Sequence, residues 1–186
     1  MTKLKDYINE SLLDDEDDLV ERRLPIEYLH EYLNLIKVFV DRIKYYSITI
    51  SSWGTPWTPL PDLRIRKDSL RSSSNYADDM NDTAAEFNKQ VYKALMYLKR
   101  KFGVIVESNT NRTSTYEWEN GKQVLKYVNN YIYEVRLQNT NCYIKILLYG
   151  SNLQVMIKDY NGDAKKDGHM AEQFFLKEIK DIEKIK

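Results

Sequence analysis

The first third of the chain contains the longest regular pattern of apolar positions, and this pattern has the period of an α-helix. The apolar residues recur at alternating spacings of three and four: Ile26, Leu29, Leu33, Ile36, Val40 and Ile43. Such spacing places them on one face of a helix. Pro25 is compatible with the first turn, where its missing N–H would have no helical partner. The pattern therefore predicts a core helix over about residues 25–46.

Two further segments show helical periodicity. The apolar face of the first is formed by Ala84, Phe87, Val91, Leu95, Leu98 and Phe102. Thr83 stands three residues before Glu86, the spacing of a capping box, and Gly103 is a typical helix stop. We therefore expect a second long helix over about 83–102. A similar pattern predicts a C-terminal helix over about 169–184.

Between these helices the period changes to two, which is typical of half-buried strands. Short turn signals such as Asn120-Gly121 and Asn129-Asn130 interrupt the alternation. Connections of only a few residues permit antiparallel neighbours alone. We expect an antiparallel β-meander of five to six strands over about 104–160. Packed by two long helices and a C-terminal helix, it gives an α+β fold class.

The segment 47–75 has no clear periodicity and contains Trp53, Trp57 and all but one of the chain's prolines. We predict a long Trp/Pro loop within a single α+β domain that spans 24–186. The two tryptophans are candidate docking residues for a protein partner. The alternative is that both side chains turn inward and attach the loop to the core.

Charge is balanced overall but is unevenly distributed. The chain has 28 basic and 28 acidic residues, which argues against a general polyanion-binding protein. Residues 1–23 form an acidic segment with a net charge of −4, which leaves +4 for the rest. No apolar run approaches the roughly 20 residues of a spanning helix, and no apolar signal core follows Met1. We expect no membrane partner and no secretion by a signal peptide.

Candidate catalytic and metal-binding residues are few. Glu27 and His30 have a spacing used by di-metal bundles, but the motif occurs once and His169 is the only other histidine. Because Cys142 is the single cysteine, an intrachain disulfide cannot form, and we interpret this residue as a buried structural thiol. The polar segment 159–167 resembles a calcium loop but lacks its glycine and bidentate glutamate. We expect no catalytic residues, metal or cofactor, and we favour a protein that is not an enzyme.

The first residues suggest a function. The stretch Lys3-Leu4-Lys5-Asp6-Tyr7-Ile8-Asn9-Glu10-Ser11 resembles the prohead-targeting leader of internal head proteins of T-even-type tailed phages. In that family such a leader directs a protein into the prohead, and a protease cuts after Glu in a Leu/Ile-x-Glu context. The resemblance implies possible leader cleavage after Glu10 or Glu21. It also implies a location in the host cytoplasm or inside a virion.

The same segment has a physical interpretation of its own. Leu4, Ile8 and Leu12 recur at the spacing of an amphipathic helix and are candidate partner-docking residues. The acidic run that follows would speed association with a basic surface. The alternative is that this helix folds back on its own domain.

These observations favour a non-enzymatic phage-type accessory or virion-associated protein that acts by protein–protein interaction, with a phage head or other virion component as its partner. One alternative is a nucleic-acid-associated module that uses a basic run and one face of the second helix. Its residues would be Arg64, Arg66, Lys67, Arg71, Lys89, Lys93 and Arg100. Another alternative is an enzyme whose site is invisible in the sequence. A deep pocket that gathers His30 or His169 with several acids would favour it.

Overall fold

The computed structural model describes residues 25–44, 47–51, 62–66, 76–162 and 164–183. In these residues three helices accompany one six-stranded antiparallel sheet, which confirms the α+β class. In chain order the elements are α1 (Pro25–Val40), β1 (Ser47–Ser51), β2 (Asp62–Arg66), α2 (Tyr76–Phe102), β3 (Ile105–Glu119), β4 (Lys122–Arg136), β5 (Tyr143–Tyr149), β6 (Asn152–Lys158) and α3 (Ala164–Glu183).

The sheet has the strand order β1-β2-β6-β5-β4-β3, and every neighbouring pair is antiparallel. Strands β3 to β6 form a meander in which each strand pairs with the next along the chain. Strand β2 then adds to the outer side of β6, and β1 adds to β2. Among the described strands, β1 and β3 therefore form the two edges of the sheet.

The core lies between the helices and one face of the sheet. Ile144, Ile146 and Leu148 alternate along β5 and are buried, whereas Lys145 and Leu147 between them point to the other face and are only half-buried. Phe87 and Leu95 of α2, like Phe39 of α1 and Phe175 of α3, pack into the same cluster. We call the sheet face that points away from the helices the open face.

All three helices have an end that differs from the one predicted. Helix α1 stops at Val40 instead of residue 46, because the chain tightens there: the Arg42 N–H donates to the Phe39 carbonyl at 3.1 Å. Helix α2 begins at Tyr76, seven residues before the predicted Thr83, so the capping box does not mark its start. Its true start is stabilised by a tertiary contact, since Glu117 accepts a hydrogen bond from the Ala77 N–H.

Helix α3 begins at Ala164 and not near residue 169. Its first turn carries Asp167, whose side chain is buried beside Tyr160. An acidic group at this end of a helix interacts favourably with the helix dipole. Gly162 leaves the required space, because a Cβ there would lie 2.1 Å from an oxygen of Asp167.

The strands are also distributed differently along the chain. The stretch 104–160 forms four strands, because Asn129-Asn130 lies inside β4 and is not a turn. The Asn130 amide is held there by hydrogen bonds to Asn111 (2.8 Å) and Thr113 (2.7 Å) of β3. The other two strands, β1 and β2, come from the segment 47–75, which we predicted to be a loop throughout. Residues 52–61 and 67–75 of that predicted loop lie outside the described residues.

Candidate functional site

The hairpin of β3 and β4 extends well beyond the strand next to it. Its two strands pair residue by residue from Ile105 with Arg136 to Glu119 with Lys122. Strand β5, by contrast, pairs only with the last part of β4, residues 130–135. Residues 112–129 therefore project past the end of β5 as a two-stranded extension, which we call the hairpin arm.

The tip of the hairpin arm is a tight turn with a defined geometry. Asn120 and Gly121 both have positive φ, 51° and 76°. Positive φ at both central residues is the requirement of a type I′ turn, and the right-handed twist of this turn matches that of the flanking strands. The turn fixes the pairing register and hence which side chains share a face.

One face of the arm is an exposed surface of large side chains. Tyr116 lies directly opposite Leu125, and Trp118 and Tyr127 occupy the diagonal positions on the same face. Trp118 is 70% exposed, Tyr116 63%, Tyr127 52% and Leu125 42%. We call these four residues the aromatic face.

The opposite face of the arm packs against the start of α2. Val128 is fully buried against Ala77 and Met80. The carboxylate of Glu117 is also buried, and it accepts the hydrogen bond from the Ala77 N–H at the N-terminus of α2. Apolar burial and a capping hydrogen bond therefore attach the arm to the helix through this one face.

Asn81 attaches the edge of the arm as well. Beyond the end of β5, the side of β4 that faces away from β3 has no neighbouring strand among the described residues. There the Asn81 amide donates to the Tyr127 carbonyl at 3.0 Å, and its side-chain oxygen accepts from the Asn129 N–H at 2.8 Å. One side chain thus satisfies two backbone groups that a strand would otherwise pair. The arm is held in place, so the aromatic face is not free to collapse onto the core.

The charges of the arm lie mainly away from the aromatic face. Lys126, on the face that packs against the start of α2, pairs with Glu119 at 2.7 Å and approaches Asp78 at 3.9 Å. The hydrogen bond to Glu119 raises the pKa of Lys126. On the same side of the arm, Arg112 is the charged residue, and the polar residues Ser114 and Gln123 lie opposite Tyr127 and Trp118. Such a surface, rich in Trp, Tyr and Arg, has the composition of binding hot spots between proteins.

Buried tyrosines elsewhere have structural roles. The Tyr133 hydroxyl donates to Asn88 at 2.7 Å, and the Tyr32 hydroxyl donates to the Cys142 carbonyl. Burial raises the pKa of both hydroxyls. Burial also raises the pKa of Tyr160, and the neighbouring Asp167 carboxylate adds to this effect.

The structure places only some of the residues predicted to bind partners. Arg64 and Arg66 are exposed on the open face, whereas Lys89, Lys93 and Arg100 are exposed on α2, which lies on the other side of the sheet. These two basic groups are therefore not brought together. The remaining predicted residues lie outside the described part of the chain: the docking residues Leu4, Ile8, Leu12, Trp53 and Trp57, the cleavage residues Glu10 and Glu21, and the basic residues Lys67 and Arg71.

The open face carries a different basic group. Arg64 and Arg66 of β2 share it with Lys158 of β6, Lys145 of β5 and Arg136 of β4, because the strand pairing brings these alternating positions to one side. Glu134 stands opposite Lys145, and Arg136 lies 3.9 Å from both Glu134 and Glu107. Cations thus outnumber acids on this face.

Candidate metal and catalytic residues are not gathered. His30 and His169 are both exposed, on α1 and α3 respectively. Within the described residues, no group of three or more His, Cys, Asp or Glu side chains is placed to hold a metal ion. Cys142 is buried, its thiol donates to the Asp159 carbonyl at 3.2 Å, and burial raises its pKa. Its surroundings therefore favour the unreactive thiol form.

Sequence reasoning missed the aromatic face, although a signal for it was present. The segment Tyr116-Glu117-Trp118-Glu119 alternates aromatic and acidic residues directly before Asn120-Gly121. A type I′ turn at that dipeptide pairs Trp118 with Gln123 and Tyr116 with Leu125, which puts both aromatic side chains on one face. The pattern does not predict, however, that these side chains remain exposed to solvent.

None of the described helices has the length and apolar character required to cross a membrane. We found no protein-family model that matches the chain, and no similar curated protein or solved structure.

Proposed function

We propose that this protein acts by binding another protein through the aromatic face of the hairpin arm, as a non-enzymatic accessory protein. The single observation that supports the proposal is the exposure of Trp118, 70%, on an arm that α2 holds in place. Large apolar side chains that remain in water, next to one another on a supported surface, are typical of interaction sites.

The energetics favour a functional surface over a structural one. Removing Trp118 or Tyr116 from water in the unbound protein would have required only a helix or loop on that side of the arm. Instead, the aromatic side chains stay exposed while Val128 on the opposite face is fully buried. On binding, each aromatic side chain contributes roughly 150–250 Å² of contact area at a low cost in side-chain entropy.

A comparison of matched variants tests the proposal. The double substitution Tyr116→Ala/Trp118→Ala removes the centre of the aromatic face. The control, Tyr92→Ala/Leu176→Ala, removes similarly exposed apolar side chains from α2 and α3. Tagged forms of both variants and of the unaltered chain are used to capture partners from the cells in which the protein is made. Each captured protein is then purified and titrated against all three forms.

We expect one purified partner to bind the unaltered chain and the control equally. The Tyr116→Ala/Trp118→Ala form should bind it at least about tenfold more weakly, because hot-spot residues carry most of an interface's binding energy. Equal affinity for all three forms would contradict the proposal.

The virion setting is a proposal carried by residues 1–21 alone. We propose that Leu4, Ile8 and Leu12 dock in a groove of a virion component and that cleavage can follow Glu10 or Glu21. Supporting this are the lysine-led start and the Ile8-Asn9-Glu10 context. In the full chain, Leu4→Asp/Ile8→Asp should abolish co-purification with phage particles and leave folding unchanged. Undiminished co-purification would contradict the virion setting, but it would not bear on the proposal that the aromatic face binds a protein.

A second candidate function is nucleic-acid binding on the open face, and a specific observation favours it. Arg64, Arg66, Arg136, Lys145 and Lys158 share that face with fewer acids. Binding of a fluorescent single-stranded oligonucleotide should then weaken steeply as salt increases, because bound cations are released from the phosphates. Arg64→Glu/Arg66→Glu should abolish it. No binding at low salt would exclude this function.

A further inference from the structure

In the part of the chain that the structure describes, strand β3 leaves one edge of the sheet unpaired. Among the described strands it pairs with β4 alone, along all fifteen of its residues and without a bulge. It contains no proline, no lysine and no bulge, which commonly protect an edge strand from pairing with another chain, and its charged residues are Glu107, Arg112, Glu117 and Glu119. The opposite edge of the same sheet is protected by its length, since β1 has only five residues.

The contacts of Asn81 show which backbone groups β3 offers to a partner. They place the Tyr127 carbonyl and the Asn129 N–H on the side of β4 that faces away from β3. In an antiparallel pair, the residues opposite them also direct their backbone groups away from the partner strand. Ser114 and Arg112 are those residues. Every second residue of β3, from Val106 to Tyr116, therefore directs its backbone N–H and C=O to the free edge. One of these donors, the Thr110 N–H, bonds to the Asn109 side-chain oxygen at 2.8 Å, and a partner strand would displace that contact.

The side-chain pattern of β3 is complementary to itself in reverse. Ile105 and Val106 lie at one end and Tyr116 and Trp118 at the other, with Ser, Thr and Asn predominating between them. Antiparallel pairing of two such strands places apolar ends opposite each other and polar centres together. We propose that β3 pairs with β3 of a second copy of this chain about a two-fold axis, which joins two six-stranded sheets into one.

Charge and overlap together select the register of this pairing. Centred on Thr110, the pairing opposes no like charges, but only residues 105–115 overlap. A two-fold axis perpendicular to the sheet pairs residues of the same face, so the axis passes through or beside a residue of β3. Centred on Arg112, the pairing would place that side chain opposite itself and Glu107 opposite Glu117. Centred on Thr113, it would place Glu107 opposite Glu119.

Centred on Asn111, the pairing avoids both conflicts over its full length. No like charges stand directly opposite each other, Val106 of one copy faces Tyr116 of the other, and Ser108 faces Ser114. The outward groups from Val106 to Tyr116 would then form about a dozen hydrogen bonds between the copies. The two aromatic faces lie on the same side of the joined sheet, so the dimer presents two binding surfaces to a partner.

The test measures the mass of the full chain in solution by sedimentation equilibrium over a wide range of concentration. The unaltered chain should reach twice 22.1 kDa. In the dimer, Ser108→Lys/Ser114→Lys creates two pairs of directly opposed lysines, one on each side of the axis. It should weaken the dimer at least about tenfold. Ser108→Lys/Ser114→Glu places opposite charges there and should restore it. Within one chain these two positions are six residues apart on an exposed strand, so they do not contact each other.

A backbone variant gives an independent readout. Thr110→Pro removes one outward N–H and should yield a monomer, whereas Thr110→Ala keeps the N–H and should remain dimeric. A monomer at every concentration of the unaltered chain would overturn the proposal. So would a dimer that the two lysines leave intact, because its interface would lie elsewhere. The Thr110 variants leave the aromatic face unaltered, since Thr110 lies opposite Tyr131, so their outcome is separate from the partner-binding experiment.

Discussion

The two halves of the β3–β4 hairpin have the same pairing but opposite surroundings. At the base, Tyr133 and Val135 of β4 face the helices and are buried. In the hairpin arm, Leu125 and Tyr127 occupy the equivalent alternating positions of the same strand and remain exposed. The register does not change between the two halves, because all fifteen pairs follow one another without a bulge. The two halves differ in whether a helix covers this face of β4.

The course of α2 accounts for this difference. Its central part packs on the base of the hairpin through residues such as Phe87 and Val91. Its first turns instead lie beside the edge of the arm, where Asn81 binds the β4 backbone, and Met80 packs on the opposite face. A single helix therefore buries one face at the base and the other face at the arm. Alternation in a strand identifies two faces, but only tertiary packing decides which of them is core.

The largest contrast should come from equivalent substitutions in one strand. Val135→Ala removes two buried carbon atoms and leaves a cavity, so we expect a loss of about 2 kcal/mol in the free energy of unfolding. Leu125→Ala removes more carbon atoms, but from an exposed position, and should change stability by no more than about 0.5 kcal/mol. Urea denaturation measures both. Equal losses would mean that the arm is packed like the base.

High pH should destabilise the protein through tyrosines that are buried or half-buried. Burial raises the pKa of Tyr32, Tyr133, Tyr143, Tyr149 and Tyr160 in the folded state. Above the ordinary tyrosine pKa of about 10, the folded chain therefore binds more protons than the unfolded chain, and stability falls as pH rises. Denaturation midpoints measured across this range should decrease together with the appearance of tyrosinate absorbance. A constant midpoint above pH 10 would contradict the assignment.

The attachment of the arm should have a smaller, local effect. Asn81→Ala leaves the Tyr127 carbonyl and the Asn129 N–H without their partner, which costs about 1–2 kcal/mol. Backbone amide exchange should accelerate in residues 122–129 and stay slow in residues 143–149. Ser108→Ala, at an exposed position of β3, is the control and should change neither. Uniform acceleration across the sheet would show that the arm does not open independently.

The smallest of these effects should come from the turn. Gly121 has a φ of 76°, a region that residues with a Cβ rarely adopt, and nothing lies within 4 Å of the added carbon. Gly121→Ala should therefore cost about 1 kcal/mol through backbone strain alone. Thermal denaturation measures the loss. An unchanged denaturation temperature would mean that the positive φ of Gly121 is not needed to hold the turn of the hairpin arm.

Much of the fold could be predicted from local patterns. The stripe of α1, the turn at Asn120-Gly121 and the alternation of β5 each follow from residue type and spacing, and they suffice for the α+β class. The start of α2 could not be predicted, because its cap is Glu117, forty residues away in the chain. Asn129-Asn130 failed as a turn signal for the same reason: Asn111 and Thr113 of the partner strand accept hydrogen bonds from the side-chain NH2 group of Asn130.

The candidate site was predictable only in part. That Tyr116 and Trp118 share a face follows from alternation and the turn, but their exposure depends on where α2 passes. The basic residues illustrate the same limit. The spacing of Arg64 and Arg66 indicates a strand, and that of Lys89 and Lys93 indicates a helix. Neither spacing predicts that the two pairs lie on opposite sides of the sheet.

The most direct test of the central claim is the affinity of the purified partner for the Tyr116→Ala/Trp118→Ala form, measured beside its free energy of unfolding. We expect binding to fall at least about tenfold while the unfolding free energy stays within about 1 kcal/mol of the unaltered chain. Unchanged affinity, or a collapse of stability in this variant, would contradict the claim that the aromatic face is a binding surface and not part of the core.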